Sequence, residues 1–277
     1  MQLPPESYSS RLSDFLRCYY LGPDHPCKLR LLGWLEALAG QKRIAIRTLA
    51  CFRFAVDRRD YIQATVFRTG RWEDAIEDTL RAELTGDDVY FDIGANVGYF
   101  SLFALQLGCG TVVSFEPNSE LQALFLHNMR LNHFSDERSK LVCSALAETP
   151  GDYVYQEGPL ANSGVGHLVA ATGSAGIKVK TETLDTFLEN SGLPCPSVIK
   201  LDVEGWELNV LRGAAKLFEK KPPRLVIFEA ACDASCQITD RELVQFFEDR
   251  GYSVRHLPRE PRESRENYVA RSASALG

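Results

Sequence analysis

The run Val89-Tyr-Phe-Asp-Ile-Gly-Ala-Asn-Val-Gly-Tyr-Phe100 encodes a strand, a tight turn and a helix start in succession. An apolar stretch ends at Asp92, glycines follow at Gly94 and Gly98, and a helix-compatible segment begins. Glycine lets the chain turn sharply and lets a ligand approach the backbone, because no Cβ intervenes. Such a unit directs the chain toward a Rossmann-like α/β fold, in which ligands meet the carboxyl ends of parallel strands. The spacing is Asp-x-Gly-x-x-x-Gly. A dinucleotide fingerprint would read Gly-x-Gly-x-x-Gly, and Asn96 stands where its middle glycine belongs. Without that glycine, and with an acid at the strand end, the loop suits a cofactor that lacks phosphates. S-adenosylmethionine, a nucleoside joined to an amino acid through a sulfonium, meets that description.

Downstream periodicity agrees with this fold. Strands are predicted at 88–92, 111–115, 140–145, 197–202, 224–229 and 252–256, with a last one near 267–271. Helices fit 97–107, 119–132, 204–218 and 239–250. Alternation of this kind gives a mostly parallel sheet with helices on both faces. Residues 151–182, rich in Gly and Ser, interrupt the alternation and read as an inserted hairpin with a mobile loop. Residues 1–60 form an N-terminal extension. Leu12, Phe15, Leu16 and Tyr19 recur at helical spacing, as do Leu31, Leu35 and Leu38, and the alternation in 43–47 and 51–57 predicts a small hairpin. Trp72 to Leu84 is predicted to be a helix. The main domain is placed at 61–277.

Composition narrows the function classes. The 277 residues carry a net charge of −6, which argues against a nucleic-acid binder with a broad basic surface. Met1–Ser7 lacks a basic region followed by an apolar core, so no signal peptide is expected, and no apolar run reaches the ~20 residues that span a bilayer. The eight cysteines are scattered, and Cys232-x-x-x-Cys236 lacks the second pair or nearby histidine of a zinc site. Reduced thiols in a cytoplasmic protein are expected.

Four predicted strands end in an acid: Asp92, Glu116, Asp202 and Glu229. Carboxylates collected on one edge repel one another and are costly to desolvate, so a cationic or hydroxyl-rich ligand would justify them. Glu116 follows Asp92 by 24 residues, the offset at which an acid grips both ribose hydroxyls. Lys200 and Asp202 share a strand face. Lys200 could neutralise a carboxylate, activate a hydroxyl or pair with a neighbour. Glu204 is placed at a helix N-terminus, where negative charge is favoured in any case. No metal site is assigned. Asp202 with Glu229 could hold Mg²⁺, but no further acid or amide is plainly placed to complete the shell. Among the histidines, His167 is the one to test as a base; His127 falls in a helix with Leu121, Leu124 and Leu131 and is read as packing or surface.

From about Asp60 to Glu229 the chain resembles the FkbM family of S-adenosylmethionine-dependent methyltransferases, within the class I Rossmann-like fold. The resemblance rests on Phe67-Arg-Thr-Gly-Arg-Trp-Glu73, Asp92-Ile-Gly-Ala-Asn-Val-Gly98, Phe115-Glu-Pro117, Thr183-Leu-Asp185 and Ile227-Phe-Glu229. The block Lys200-Leu-Asp-Val-Glu-Gly-Trp-Glu207 with the downstream Leu211-Arg-Gly213 is the most distinctive part. It implies O-methylation of a hydroxyl on a sugar, lipid or natural product. It carries cofactor binding onto Asp92, Gly94, Asn96, Gly98 and Glu116, adenine contacts onto Ser144 and Ala145, and the reaction end onto Asp202 and Glu204. The first fifty residues lie outside it; they cap the substrate side or mediate dimerisation.

Methyl transfer is an in-line displacement, so alignment of the two reactants can supply much of the acceleration. An alcohol acceptor loses its proton as the bond forms, and Asp202 is expected to be the base or the orienting group. Two rivals remain at this level: a non-catalytic cofactor-binding or scaffold protein, and a nicotinamide-dependent oxidoreductase.

Overall fold

Tyr90 and Phe91 are adjacent on one strand and neither is exposed. Neighbouring strand residues point to opposite faces, so the sheet that holds them is covered on both sides. The computed structural model describes residues 15, 18–20, 22–23, 25–38, 43–134, 137–159, 161–170, 176–258 and 264–273. Leu12 and Leu16 of the predicted N-terminal helix lie outside the described residues.

Helix α1 (Lys28–Leu38) leads to the antiparallel hairpin β1 (Arg43–Arg47) and β2 (Arg53–Asp57), then α2 (Tyr61–Thr69) and α3 (Asp74–Glu83). The alternating part follows: β3 (Val89–Ile93), α4 (Tyr99–Gln106), β4 (Thr111–Phe115), α5 (Ser119–Leu131) and β5 (Ser139–Val142). An insertion contributes β6 (Ala145–Leu146), β7 (Gly151–Gln156), a 3-10 turn (Ser163–Val165), β8 (His167–Ala170) and β9 (Ile177–Glu182). The chain continues through α6 (Leu184–Ser191), β10 (Val198–Leu201), α7 (Glu207–Arg212), α8 (Ala215–Lys220) and β11 (Leu225–Ala231). It ends with α9 (Arg241–Glu248), β12 (Tyr252–Leu257) and β13 (Arg265–Ser272).

The main sheet has the order β12-β13-β11-β10-β3-β4-β5. β13 runs antiparallel to both of its neighbours, and the five strands from β11 to β5 are mutually parallel. This is the Rossmann-like sheet expected from the sequence. Its order reverses between β3 and β10, which opens a crevice at their carboxyl ends. One face packs Tyr90, Val112, Val198 and Ile227 against Phe103, Phe125 and the hairpin's Phe52 and Phe54. The other packs Phe91, Val113, Ile199 and Phe228 against Phe187, Val210, Phe218 and Phe247. At roughly 1.5–3 kcal/mol for each fully buried large side chain, these two layers fix the strand register that aims the site.

Four elements differ from the expected ones. The insertion is a four-stranded sheet of order β6-β9-β7-β8, not a hairpin. Ala145–Leu146 leave the main sheet and pair with Thr181–Glu182 instead, so the predicted strand at 140–145 stops at Val142. The helix predicted at 204–218 is split around Gly213, whose backbone packs on the Ala147 carbonyl: a Cβ there would lie 2.2 Å from that oxygen. Helix α2 was not expected. Its signal was present, since Asp60 caps it by accepting from the Gln63 amide at 2.9 Å.

Candidate active site

The turn after β3 is built for close backbone approach. The amides of Gly94 and Ala95 both donate to the Phe115 carbonyl, at 3.0 and 2.9 Å. Gly94 has φ +82°, and a Cβ on it would lie 1.8 Å from the Asp202 carbonyl oxygen. The loop after β3 and the loop after β10 therefore touch backbone to backbone. Asn96 is also left-handed, with φ +50°. That conformation turns its amide onto Glu116 Oε2 at 2.9 Å, while the Asn118 amide reaches Oε1 at 2.8 Å. Glu116 lines the cleft yet is only 4% exposed. Burial pushes its carboxyl up to about 7, against the pull of the two amides.

Asp92 and Gly98, both expected at the ligand, stand behind the wall and do not line the cleft. Asp92 is 1% exposed. It accepts from Ser101 Oγ at 2.5 Å and lies 3.8 Å from Lys200 Nζ; the parallel register sets it opposite Lys200. Gly98, at φ +88°, leaves room for the Phe125 ring, 2.6 Å from where its Cβ would be.

Lys200 sits between two carboxylates. Its Nζ donates to Asp202 Oδ2 at 3.0 Å and lies 5.1 Å from the Phe100 ring centre. Burial opposes its charge, but Asp202 and Asp92 outweigh burial and hold the ammonium protonated beyond its ordinary range. Of the three roles open to Lys200, pairing with carboxylates is the one this geometry supplies.

Asp202, Glu204 and Glu229 bring carboxylate oxygens within 4.8 Å of one another. Glu204 is thus the third acid that the sequence did not place. It precedes α7 in a turn with φ +53° and is not in the helix's first turn, so a helix-dipole role does not account for it. Burial, and next the charge of Asp202, push Glu204 up to about 8 and Glu229 up to about 7. Arg265 braces the trio from behind: Nε donates to Glu229 Oε2 at 2.5 Å and Nη2 to Glu207 Oε1 at 2.9 Å. Three oxygens could hold a divalent ion, but Arg265 already offsets the charge of Glu229.

The insertion forms the roof. The Ser163 amide donates to Asp60 Oδ2 at 2.7 Å, and its hydroxyl lies 3.4 Å from Asn96 Nδ2. The Tyr61 amide donates to the Ala161 carbonyl at 2.7 Å, and Trp206 Nε1 to the Leu168 carbonyl at 2.6 Å. Tyr61 and Trp72 form a side wall, edge to face with centroids 6.1 Å apart. The Trp72 amide and the Tyr99 hydroxyl both donate to buried Glu77 Oε1, at 3.2 and 2.5 Å. Ser144 and Ala145 line the opposite end, where Ser144 Oγ donates to Glu182 Oε1 at 2.8 Å. His167 lines the cleft, whereas His127 is buried on α5. The cleft holds about 1270 Å³ of space, part of it open to solvent. Sequence reasoning missed Tyr61, the Ser163 latch and Arg265. Trp72 and Glu73 stood in a motif carrying the resemblance but had no role.

The cleft is rich in carboxylates, and its buried lysine is engaged by two of them. It suits cations and hydroxyls, not phosphates. A pH prediction follows. Glu116 and Glu229 titrate near 7 and Glu204 near 8 in the fold, whereas unfolded glutamates titrate near ~4.3. The unfolded chain therefore releases these protons first as pH rises. Thermal stability of the ligand-free protein is expected to fall between about pH 5 and pH 8, as read by melting curves. Stability that rises through this range would remove these acids as the cause.

Comparison with known proteins gives a consistent picture. A family model described as the methyltransferase FkbM domain matches residues 92–254. The hexuronic acid methyltransferase AglP of Haloferax volcanii is 30% identical over 213 residues, covering 74% of this chain and 82% of that protein. A methyltransferase FkbM from Methylobacillus flagellatus is 15% identical with a TM-score of 0.49, over 94% of this chain and 58% of that one. TYW2 of M. jannaschii in complex with AdoMet is 12% identical with a TM-score of 0.47, over 83% of this chain and 84% of that one. No helix among the described residues is long and apolar enough to cross a membrane.

Proposed function

The chain belongs to the FkbM methyltransferase family, and from that premise we propose that it transfers a methyl group from S-adenosylmethionine to a hydroxyl oxygen of a small, sugar-like acceptor. The observation that carries the reading is Glu116. Its carboxylate faces the cleft from a strand end, both oxygens aligned by backbone amides, where vicinal ribose hydroxyls can be gripped. The glycine cradle and the acid-rich lining fit a cationic nucleoside, and the charge on Lys200 is committed to Asp92 and Asp202 rather than to a pyrophosphate.

Bound there, S-adenosylmethionine supplies a methyl group already activated by a positive sulfur. The protein's part is alignment, exclusion of water and removal of one proton. Gly94, Asn96 and Glu116 hold the donor's nucleoside side, and Ser144 and Ala145 border the adenine. Asp202, one-third exposed and oriented by Lys200, takes the acceptor's hydroxyl proton. Glu204 lines the reaction end of the cleft beside Asp202. The roof and the Tyr61–Trp72 wall seat the acceptor.

Calorimetric titration tests the donor half. At pH 8, S-adenosylhomocysteine should bind and NADH should not. Glu116→Gln should weaken S-adenosylhomocysteine by roughly 10- to 100-fold, the size of a charge-assisted hydrogen-bond pair. The difference should shrink at pH 6, where wild-type Glu116 also carries a proton. Binding of NADH in preference to S-adenosylhomocysteine would refute the assignment.

A further inference from the structure

The β10–β11 side of the cleft is acid-rich and aromatic, and that balance bears on the acceptor's charge. This inference rests on the methyl-transfer reading above. Asp202, Glu204 and Glu229 form one cluster. Glu73 lines the same cleft from α3's N-cap position, where its side chain makes no capping bond. Its Oε1 accepts from Asn267 Nδ2 at 2.8 Å, and Asn267 is the register partner of Glu229 on β13. All four acids line the cleft. Among the described residues, the basic side chains on the lining are Lys200 and His167. Lys200 is spent on Asp202 and Asp92, and His167 Nδ1 is 3.3 Å from the Val165 carbonyl. Arg265, just behind, is engaged by Glu229 and Glu207.

The same region carries an exposed aromatic. Tyr61 is 49% exposed, an unusual place for so large a ring, and it packs at right angles to Trp72. Right-angle packing leaves a ring face for a ligand, and ring faces are electronegative and attract C–H groups that carry partial positive charge. Carboxylates accept pairs of hydroxyl hydrogen bonds. Together the two features match a polyol with a C–H face and a hydroxyl edge. A carboxylate on that polyol would enter a space already crowded with carboxyl groups, where a further negative charge is disfavoured.

We propose that the acceptor is an uncharged hexoside-type polyol, seated on Tyr61 and Trp72, and that Glu73, Glu204 and Glu229 select against a uronate. The specificity thereby differs from the one in the name of the Haloferax relative.

The test uses matched pairs of methyl glycosides that differ only at carbon 6, hydroxymethyl in one and carboxylate in the other, in the gluco, galacto and manno series. Transfer of labelled methyl from S-adenosylmethionine is followed for the full chain, with S-adenosylhomocysteine binding measured in parallel. The neutral member of each reactive pair should be favoured at least tenfold in kcat/KM, and Glu73→Gln should narrow that preference. Trp72→Ala should raise KM for the neutral acceptor while leaving S-adenosylhomocysteine affinity unchanged; a purely structural role for Trp72 would disturb both. Equal or better use of the uronate overturns the proposal and leaves methyl transfer standing. Donor binding with no pair methylated also overturns it. Failure to bind S-adenosylhomocysteine removes the underlying donor reading instead.

Discussion

Asp202→Asn is expected to lower turnover by roughly 10²- to 10⁴-fold, the usual contribution of a positioned general base, while S-adenosylhomocysteine still binds. The amide keeps the size of the side chain and can still accept from Lys200 Nζ, now 3.0 Å from Asp202 Oδ2. It cannot take the acceptor's proton. One complication is physical: Lys200 is only 3% exposed, and a buried cation that loses a charged partner costs stability. Asp92 at 3.8 Å and the Phe100 ring at 5.1 Å would then hold it. The triple variant Asp92→Asn, Lys200→Met and Asp202→Asn, which leaves neither a buried cation nor its buried anionic partners, separates the two effects. Relative to Asp202→Asn alone, it should recover melting temperature but not turnover. If turnover returned together with stability, Asp202 would be a structural partner of Lys200 and not the base.

Gly94→Ala should be the most disruptive single methyl group in the chain. Two costs add. An alanine held at φ +82° loses about 1–2 kcal/mol. Its Cβ would also stand 1.8 Å from the Asp202 carbonyl oxygen, and overpacking of this kind costs about 1–3 kcal/mol when neighbours can shift. Here they shift poorly, because the Asp202 amide is tied to the Ile93 carbonyl at 3.0 Å. A loss of about 3 kcal/mol or more, near 10 °C in melting temperature, is expected together with loss of donor binding. Gly108→Ala is the control. Gly108 has φ +92° and nothing within 4 Å of its would-be Cβ, so it should show the backbone cost alone. Equal melting temperatures for the two variants would show that the Gly94–Asp202 contact is not tight in solution.

The central strands β3, β4, β10 and β11 were legible from sequence because they are buried on both faces and largely apolar, with acids at or near their carboxyl ends. Glu116 was legible because its distance from Asp92 is fixed by one helical crossover. Asp92 was noticed as a strand-end acid, but such an acid can face a ligand or a neighbouring lysine, and its register opposite Lys200 could not be read from the sequence. Glu204 was expected at the reaction end but also open to a helix-dipole reading, which the helix start at Glu207, after a left-handed turn, takes away. The roof was legible only as an inserted hairpin, and its four-stranded pairing was not. Its strands pair Ala145 with Thr181 and Tyr153 with Val179, and such pairings between distant, short, polar strands leave little periodic trace. Arg265 carried no sequence signal of a role, because only the antiparallel pairing of β13 with β11 brings it beside Glu229.

Ser163 joins three parts of the cleft: its amide binds Asp60, whose other oxygen caps α2 and so sets the start of the Tyr61–Trp72 wall, and its hydroxyl rests near Asn96 of the glycine loop. Whatever orders the loop therefore orders the wall. If donor and acceptor each order this junction, the first to bind lowers the cost for the second, and thermodynamic linkage makes that effect reciprocal: each would strengthen the other's binding by the same factor.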